Sequence, residues 1–169
     1  LMIDGVQHLQ DGGAEFLVIC TNTMHRMADE IEQATGLPLL HIADAAAAAI
    51  HAQRLSTVGL LGTQFTMTGD FYRTRLEKQH SLRVLIPNEA DRQSVHRIIY
   101  NELVLGQIRE ESREVYIEII NRLADAGAQG VILGCTEIPL LVRPSDVEIP
   151  VFDTTTLHAE AAVDWALAT

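Results

Sequence analysis

Apolar residues recur along the chain in two patterns. Short continuous runs at 16–19, 38–42, 57–61, 83–86, 130–133 and 149–152 are bounded by turn- or cap-forming residues, and they predict strands. Between them apolar positions return every three or four residues, as in Val95, Ile98, Ile99 and Leu103, or Val115, Ile119, Ile120 and Leu123. That spacing lines one face of a helix. It predicts helices over 1–10, 24–35, 43–54, 66–79, 92–105, 110–126 and 156–167. Strands alternating with helices of this length imply βαβ units and parallel sheets, an α/β fold. The strand runs are continuous rather than alternating, so the strands are expected to be buried on both faces.

The pattern repeats within the chain. Gly13-Ala14-Glu15-Phe16-Leu17-Val18-Ile19-Cys20-Thr21 matches Gly127-Ala128-Gln129-Gly130-Val131-Ile132-Leu133-Gly134-Cys135-Thr136, with one insertion. Each copy leads through a crossover to a proline-containing strand, Leu37-Pro38-Leu39-Leu40 or Ile149-Pro150-Val151-Phe152, and then to a helix. Any two βαβ units share apolar runs. A Cys-Thr pair at the same strand end in both copies is harder to attribute to chance. The repeat predicts two similar lobes related by a pseudo-two-fold axis.

Composition narrows the functions. Of 169 residues, 47% are hydrophobic and 21% charged, which suits a globular chain. A net charge of −11 argues against nucleic acid and anionic membrane surfaces as partners. The longest apolar run, 43–50, contains Asp44 and is far shorter than the ~20 residues a membrane span needs. Residues 1–10, with Met2, Val6 and Leu9 at helical spacing, read as an amphipathic helix rather than a signal peptide. The two cysteines lack partners at zinc-ligand spacing, so no metal site is expected, and free thiols fit a reducing cytoplasm. Lys78 is the single lysine and falls in a polar helical stretch, which argues against a Schiff-base cofactor such as pyridoxal phosphate.

Chemistry is expected at the cysteines. Ligands of parallel α/β sheets bind beyond the carboxyl ends of the strands, and Cys20 and Cys135 both follow strands. Lobes facing one another would bring one sulfur to each face of a substrate carbon. One thiolate could then remove an α-proton while the opposite thiol supplies one. The loops after both cysteines run toward helix starts, where a thiol pKa is lowered. Thr21, Asn22, Thr23 and Thr136 offer hydroxyls, an amide and backbone N–H groups to a carboxylate on which charge develops. A lone cysteine is more often inert core packing, and the repeat is what lifts this pair above that reading. The Gly62-Thr63-Gln64-Phe65-Thr66 turn offers Thr63 and Thr66 either as an anion cradle or as simple helix caps. Glu137, two residues after Cys135, is placed for proton transfer, for holding a cation or for capping. His25 is the histidine placed to tune a thiol, His41 and His158 read as structural, and Asp44 and Asp153 read as helix caps.

At Cys20-Thr21-Asn22-Thr23-Met24-His25 and Gly134-Cys135-Thr136-Glu137-Ile138 the sequence resembles the aspartate/glutamate racemase superfamily. The likeness extends through His41-Ile42-Ala43-Asp44, Gly59-Leu60-Leu61-Gly62-Thr63, Thr66-Met67, Asp70-Phe71-Tyr72 and Pro150-Val151-Phe152-Asp153-Thr154. Thr-Glu after the second cysteine resembles the aspartate and broad-specificity branch, since the glutamate branch would have Thr-His. The resemblance implies two Rossmann-like lobes around one active site, a small amino-acid substrate, no pyridoxal phosphate, metal or nucleotide, and commonly a homodimer. It makes Cys20 and Cys135 the acid/base pair. Asn22, Thr23 and Thr136 would bind the substrate's head, with Thr21 and Glu137 beside them and Thr63 and Thr66 in a substrate-contacting turn. Residues 1–50 plus 153–169 would form the first lobe and 51–152 the second. The family's opening strand and Gly-rich loop have no counterpart here, so the first lobe is expected to be incomplete, by ~60 residues on the scale of a domain. Hydantoin racemase and maleate isomerase share the scaffold and remain alternatives, as does a binding module without activity. Arylmalonate decarboxylase would be expected to carry a single cysteine.

Overall fold

The structure is a computed structural model that describes residues 1–168. Its elements are α1 (Met2–Asp11), β1 (Leu17–Val18), α2 (Ala28–Thr35), β2 (Leu39–Leu40), α3 (Ile42–Ala52), β3 (Thr57–Gly62), α4 (Gln64–Thr68), α5 (Asp70–His80), β4 (Arg83–Leu85), α6 (Glu89–Asn101), α7 (Glu110–Asp125), β5 (Val131–Gly134), α8 (Ile138–Leu141), β6 (Val151–Asp153) and α9 (Thr154–Ala168). Strands β1 and β2 pair in parallel as a two-stranded sheet. The others form a four-stranded parallel sheet in the order β4-β3-β5-β6. The α/β architecture with parallel sheets is the one the hydrophobic pattern predicts.

The larger sheet is covered on both faces, because successive side chains of a strand point to opposite sides. Leu61, Val131 and Leu133 pack beneath α6 and α7 on Val95, Ile98, Ile99, Ile119, Ile120 and Leu123. Val58, Leu60 and Ile132 face the other way, onto Ile42, Ala43, Ala47 and Ile50 of α3 and Tyr72 and Leu76 of α5. A separate core joins Val6 of α1 and Ile31 of α2 to Leu17, Ile19 and Leu39. The two copies of the internal repeat each yield a parallel strand pair followed by a helix, and those helices, α3 and α9, pack against one another.

Several boundaries depart from expectation for local reasons. The helix expected over 66–79 is broken at Gly69, whose ψ of 138° is extended; a Cβ there would lie 2.5 Å from the Phe65 carbonyl oxygen. The strand expected over 38–42 stops at Leu40, because the His41 side chain accepts a hydrogen bond from Ala43 N and starts α3 at Ile42. The helix expected from Met24 opens instead as a 3₁₀ turn, Thr23–Met27, and becomes α-helical only at Ala28. The stretch expected to be helical over 92–105 starts earlier, at Glu89 behind the Asn88 cap, and ends at Asn101 before a 3₁₀ turn. No helix among the described residues is long and apolar enough to cross a membrane.

Candidate active site

A cleft of about 590 Å³ opens where the carboxyl ends of β3 and β5 meet the loop after β1. Thr21, Asn22, Thr23, Met24, Arg26 and Met27 line it from the segment after β1, and Gly134, Cys135, Thr136 and Glu137 line it from the end of β5 and the turn beyond. Thr63 and Phe65 come from the turn after β3, and Ile99, Tyr100 and Val104 from α6 and the turn beyond it. Thr21, Asn22, Thr23, Thr63, Cys135, Thr136 and Glu137 are therefore brought together. Thr66 does not line the cleft. It is fully buried, and its hydroxyl meets those of Thr63 and Thr23, each at 3.2 Å, joining the turn after β3 to the loop after β1. Thr63 also caps α4 by accepting from Thr66 N. Cys20 is exposed and precedes the cleft-lining Thr21 without lining the cleft itself.

Cys135 directly follows β5, an interior strand paired with β3 on one side and β6 on the other. Its approach to β3 is close: a Cβ on Gly134 would lie 2.9 Å from the Leu61 carbonyl oxygen. The Cys135 thiol donates to Glu137 Oε2 at 2.9 Å. Burial, and then that hydrogen bond to a carboxylate, push the thiol up to about 12. This corrects the expectation of a depressed thiol at a helix start. At Cys135 desolvation and a neighbouring negative charge outweigh the start of a helix only four residues long, α8. Glu137 thus has a definite partner, the sulfur two residues before it.

Asn22 is 3% exposed and held by a directional chain. The Thr154 hydroxyl donates its one proton to Leu133 O at 2.8 Å, so it must accept from Asn22 Nδ2 at 3.1 Å. That fixes the amide's orientation and leaves Asn22 Oδ1 as a buried acceptor with no partner among the described residues. An unpaired buried acceptor costs about 1–3 kcal/mol until a donor arrives.

His25 makes no hydrogen bond to either cysteine. Its Nδ1 lies 2.8 Å from Thr21 O, and its Nε2 accepts from Ile42 N at 3.2 Å. Asp44 is no helix cap: Arg75 grips both its oxygens at 2.7 Å, and His80 Nε2 stands 2.7 Å from one of them. Asp153 does cap α9, accepting from Thr155 N and Thr156 N. Among the described residues no group of three or more His, Cys, Asp or Glu side chains is arranged to hold a metal ion. Sequence reasoning missed Arg26, Met24, Met27, Tyr100, Val104 and Thr154. The last opens α9 directly after Asp153, within the Pro150–Thr154 segment that carries part of the family resemblance.

Residues 1–162 match the Asp/Glu/Hydantoin racemase family. The chain is 26% identical over 170 aligned positions to the broad specificity amino-acid racemase RacX of Bacillus subtilis, covering 99% of the chain and 71% of that protein. It is 29% identical to a glutamate racemase of Synechococcus over 79% of the chain, and spans 48% of that protein's length. A candidate Asp/Glu racemase from Yersinia pestis superposes with a TM-score of 0.94 at 53% identity, over 98% of the chain and 72% of that protein. An aspartate racemase homologue from Pyrococcus horikoshii does so with a TM-score of 0.88 at 35% identity, over 97% and 72%. On the strength of the match across nearly its whole length, this chain belongs to the Asp/Glu/hydantoin racemase family.

Proposed function

We propose that the protein interconverts the enantiomers of an amino acid by acid/base catalysis between Cys20 and Cys135, with no cofactor. The observation that carries this reading is one cleft lined both by Cys135, whose thiol is hydrogen-bonded to Glu137, and by Thr21, Asn22 and Thr23 of the loop that follows the other cysteine. In one direction the Cys20 thiolate takes the α-proton and Cys135 gives its own proton to the opposite face of the carbon. Cys20 then ends as a thiol and Cys135 as a thiolate. In the other direction the roles exchange. Cys20 is exposed, so its sulfur would reach the carbon from the solvent side of the cleft.

The remaining residues suit an α-amino acid head. Asn22 Oδ1, the unpaired acceptor, is the natural partner of an ammonium group. Thr21, Thr23, Thr63 and Thr136 offer hydroxyl donors to the carboxylate, while Thr66 holds two of these hydroxyls in place. Glu137 keeps the proton on Cys135. Arg26 is the one Lys or Arg lining the cleft among the described residues, which supports a substrate with an acidic side chain, aspartate or glutamate. In this reading residues 1–50 plus 153–169, of which Thr169 lies outside the described residues, and residues 51–152 form two lobes with the substrate between them. The test is to incubate the protein with L-aspartate in deuterated water. Deuterium at the α-carbon together with the D enantiomer is expected; binding without exchange contradicts the reading. A panel of acidic, basic and neutral amino acids then ranks the substrates.

A further inference from the structure

Behind the Thr21–Thr23 loop stand three imidazoles that the proposed proton transfer does not use. His25 is 2% exposed, and its ring centroid lies 4.5 Å from that of His41 and 5.6 Å from that of His158. Both ring nitrogens of His25 are engaged. Thr21 O can only accept, so Nδ1 carries the hydrogen; Ile42 N can only donate, so Nε2 offers its lone pair. The two bonds together admit one neutral tautomer. Burial first of all, with His158 and Arg75 beside it, favours that neutral state over the pull of the Thr21 and Leu40 carbonyls toward a charged ring. His41 Nδ1 accepts from Ala43 N, His158 Nε2 meets Leu40 O at 2.8 Å, and Arg75, paired with Asp44, is a fixed positive charge close by. A proton added to His25 would face these groups and remove the acceptor of Ile42.

The two points that His25 joins differ in how they are built into the fold. Ile42 opens α3, whose buried face belongs to the core over the four-stranded sheet. Thr21 belongs to the irregular stretch between β1 and the 3₁₀ turn, which follows Cys20 and forms one wall of the cleft. We propose that His25 is a positioning residue: its neutral imidazole clamps the loop after Cys20 to the start of α3 and so sets where Thr21, Asn22 and Thr23 stand in the cleft. The clamp's effect on rate rests on the racemase reading; the clamp itself does not.

Two variants of the 169-residue chain separate the bonds. His25→Asn keeps an N–H near the position of Nδ1, for Thr21 O. His25→Gln keeps a carbonyl near the position of Nε2, for Ile42 N. Backbone amide shifts are read by NMR, and kcat and KM by racemisation of aspartate. The clamp predicts that His25→Gln moves the Asn22 and Thr23 amides more than Ala43 and lowers kcat/KM about tenfold, the scale of one lost hydrogen bond. His25→Asn frees the other end of the same tether, so it should move Ala43 together with the Asn22 and Thr23 amides and lower kcat/KM by a similar factor. A merely structural histidine would instead leave the loop amides no more disturbed than the rest of the protein, with activity falling only in step with Tm in both variants. That pattern, or a His25→Gln protein with wild-type kcat/KM, overturns the proposal. Should the unaltered protein show no racemisation, the racemase reading fails while the amide shifts still decide the clamp.

Discussion

The surroundings of the two cysteines are unequal although the sequence around them repeats. Cys135 follows an interior strand of a four-stranded sheet covered on both faces, and its thiol is bonded to Glu137. Cys20 follows a strand of a two-stranded sheet and is exposed. The same local pattern therefore yields a proton held firmly on one side and a thiol open to solvent on the other. A pair of proton-transfer groups benefits from such inequality, because one must begin charged and the other neutral.

The largest expected effect lies in thiol reactivity. With its pKa pushed up to about 12, Cys135 has few thiolates at pH 8. Its greater intrinsic nucleophilicity offsets only part of that, so alkylation by iodoacetamide should be about 50-fold slower than for a free cysteine. Peptide mass spectrometry should find Cys20 modified well before Cys135. Glu137→Gln removes the carboxylate that raises the thiol and should speed labelling at Cys135 while leaving Cys20 unchanged. Equal labelling of both cysteines in the unaltered protein breaks the comparison.

Backbone packing gives the next contrast. Gly134→Ala would press a methyl group against the Leu61 carbonyl oxygen and should cost about 1–3 kcal/mol, read as a lowered urea midpoint. Gly5→Ala, in α1 on the Cys20 side, has open space around it and should stabilise by about 0.5–1 kcal/mol, since alanine is the better helix former. The same sign at both positions would remove this contrast in packing.

The smallest effect per unit is in pH. Burial draws His25 down to about 4 and His41 to about 3, and it lowers His158 as well. An unfolded histidine takes a proton near pH 6.5. Between these values the unfolded chain binds more protons, so stability falls as pH drops from about 6.5 toward 3 and is flat above. The slope should be on the order of 1 kcal/mol per pH unit for each histidine that unfolding protonates. Urea unfolding at pH 7, 5.5 and 4.5 measures it, and a constant stability would mean that these imidazoles are not buried neutral.

The sequence carried the strands of the four-stranded sheet well, because continuous runs such as Val131-Ile132-Leu133 leave no polar face to be misassigned. It carried the cleft's polar residues through the doubled Cys-Thr motif. It could not show that Thr66 is buried beneath the cleft, since Thr63 and Thr66 look alike as cap residues and only the tertiary fold brings Thr23 within 3.2 Å. Nor could it show that Asp44 is drawn to Arg75 and His80, partners more than 30 positions away. Residues that complete the wall, such as Tyr100, stand at ordinary helix positions with no signal of their own. The pKa of Cys135 depends on burial and on the rotamer of Glu137, which residue spacing does not specify.

The central claim is that both sulfurs move protons at one carbon. The most direct measurement follows L-aspartate to D-aspartate by chiral chromatography with Cys20→Ser and Cys135→Ser beside the unaltered protein, circular dichroism having shown that each variant folds. Both substitutions should lower the rate by about 10²–10⁴-fold, the usual weight of a general acid or base. Wild-type turnover in either variant would contradict the two-cysteine account.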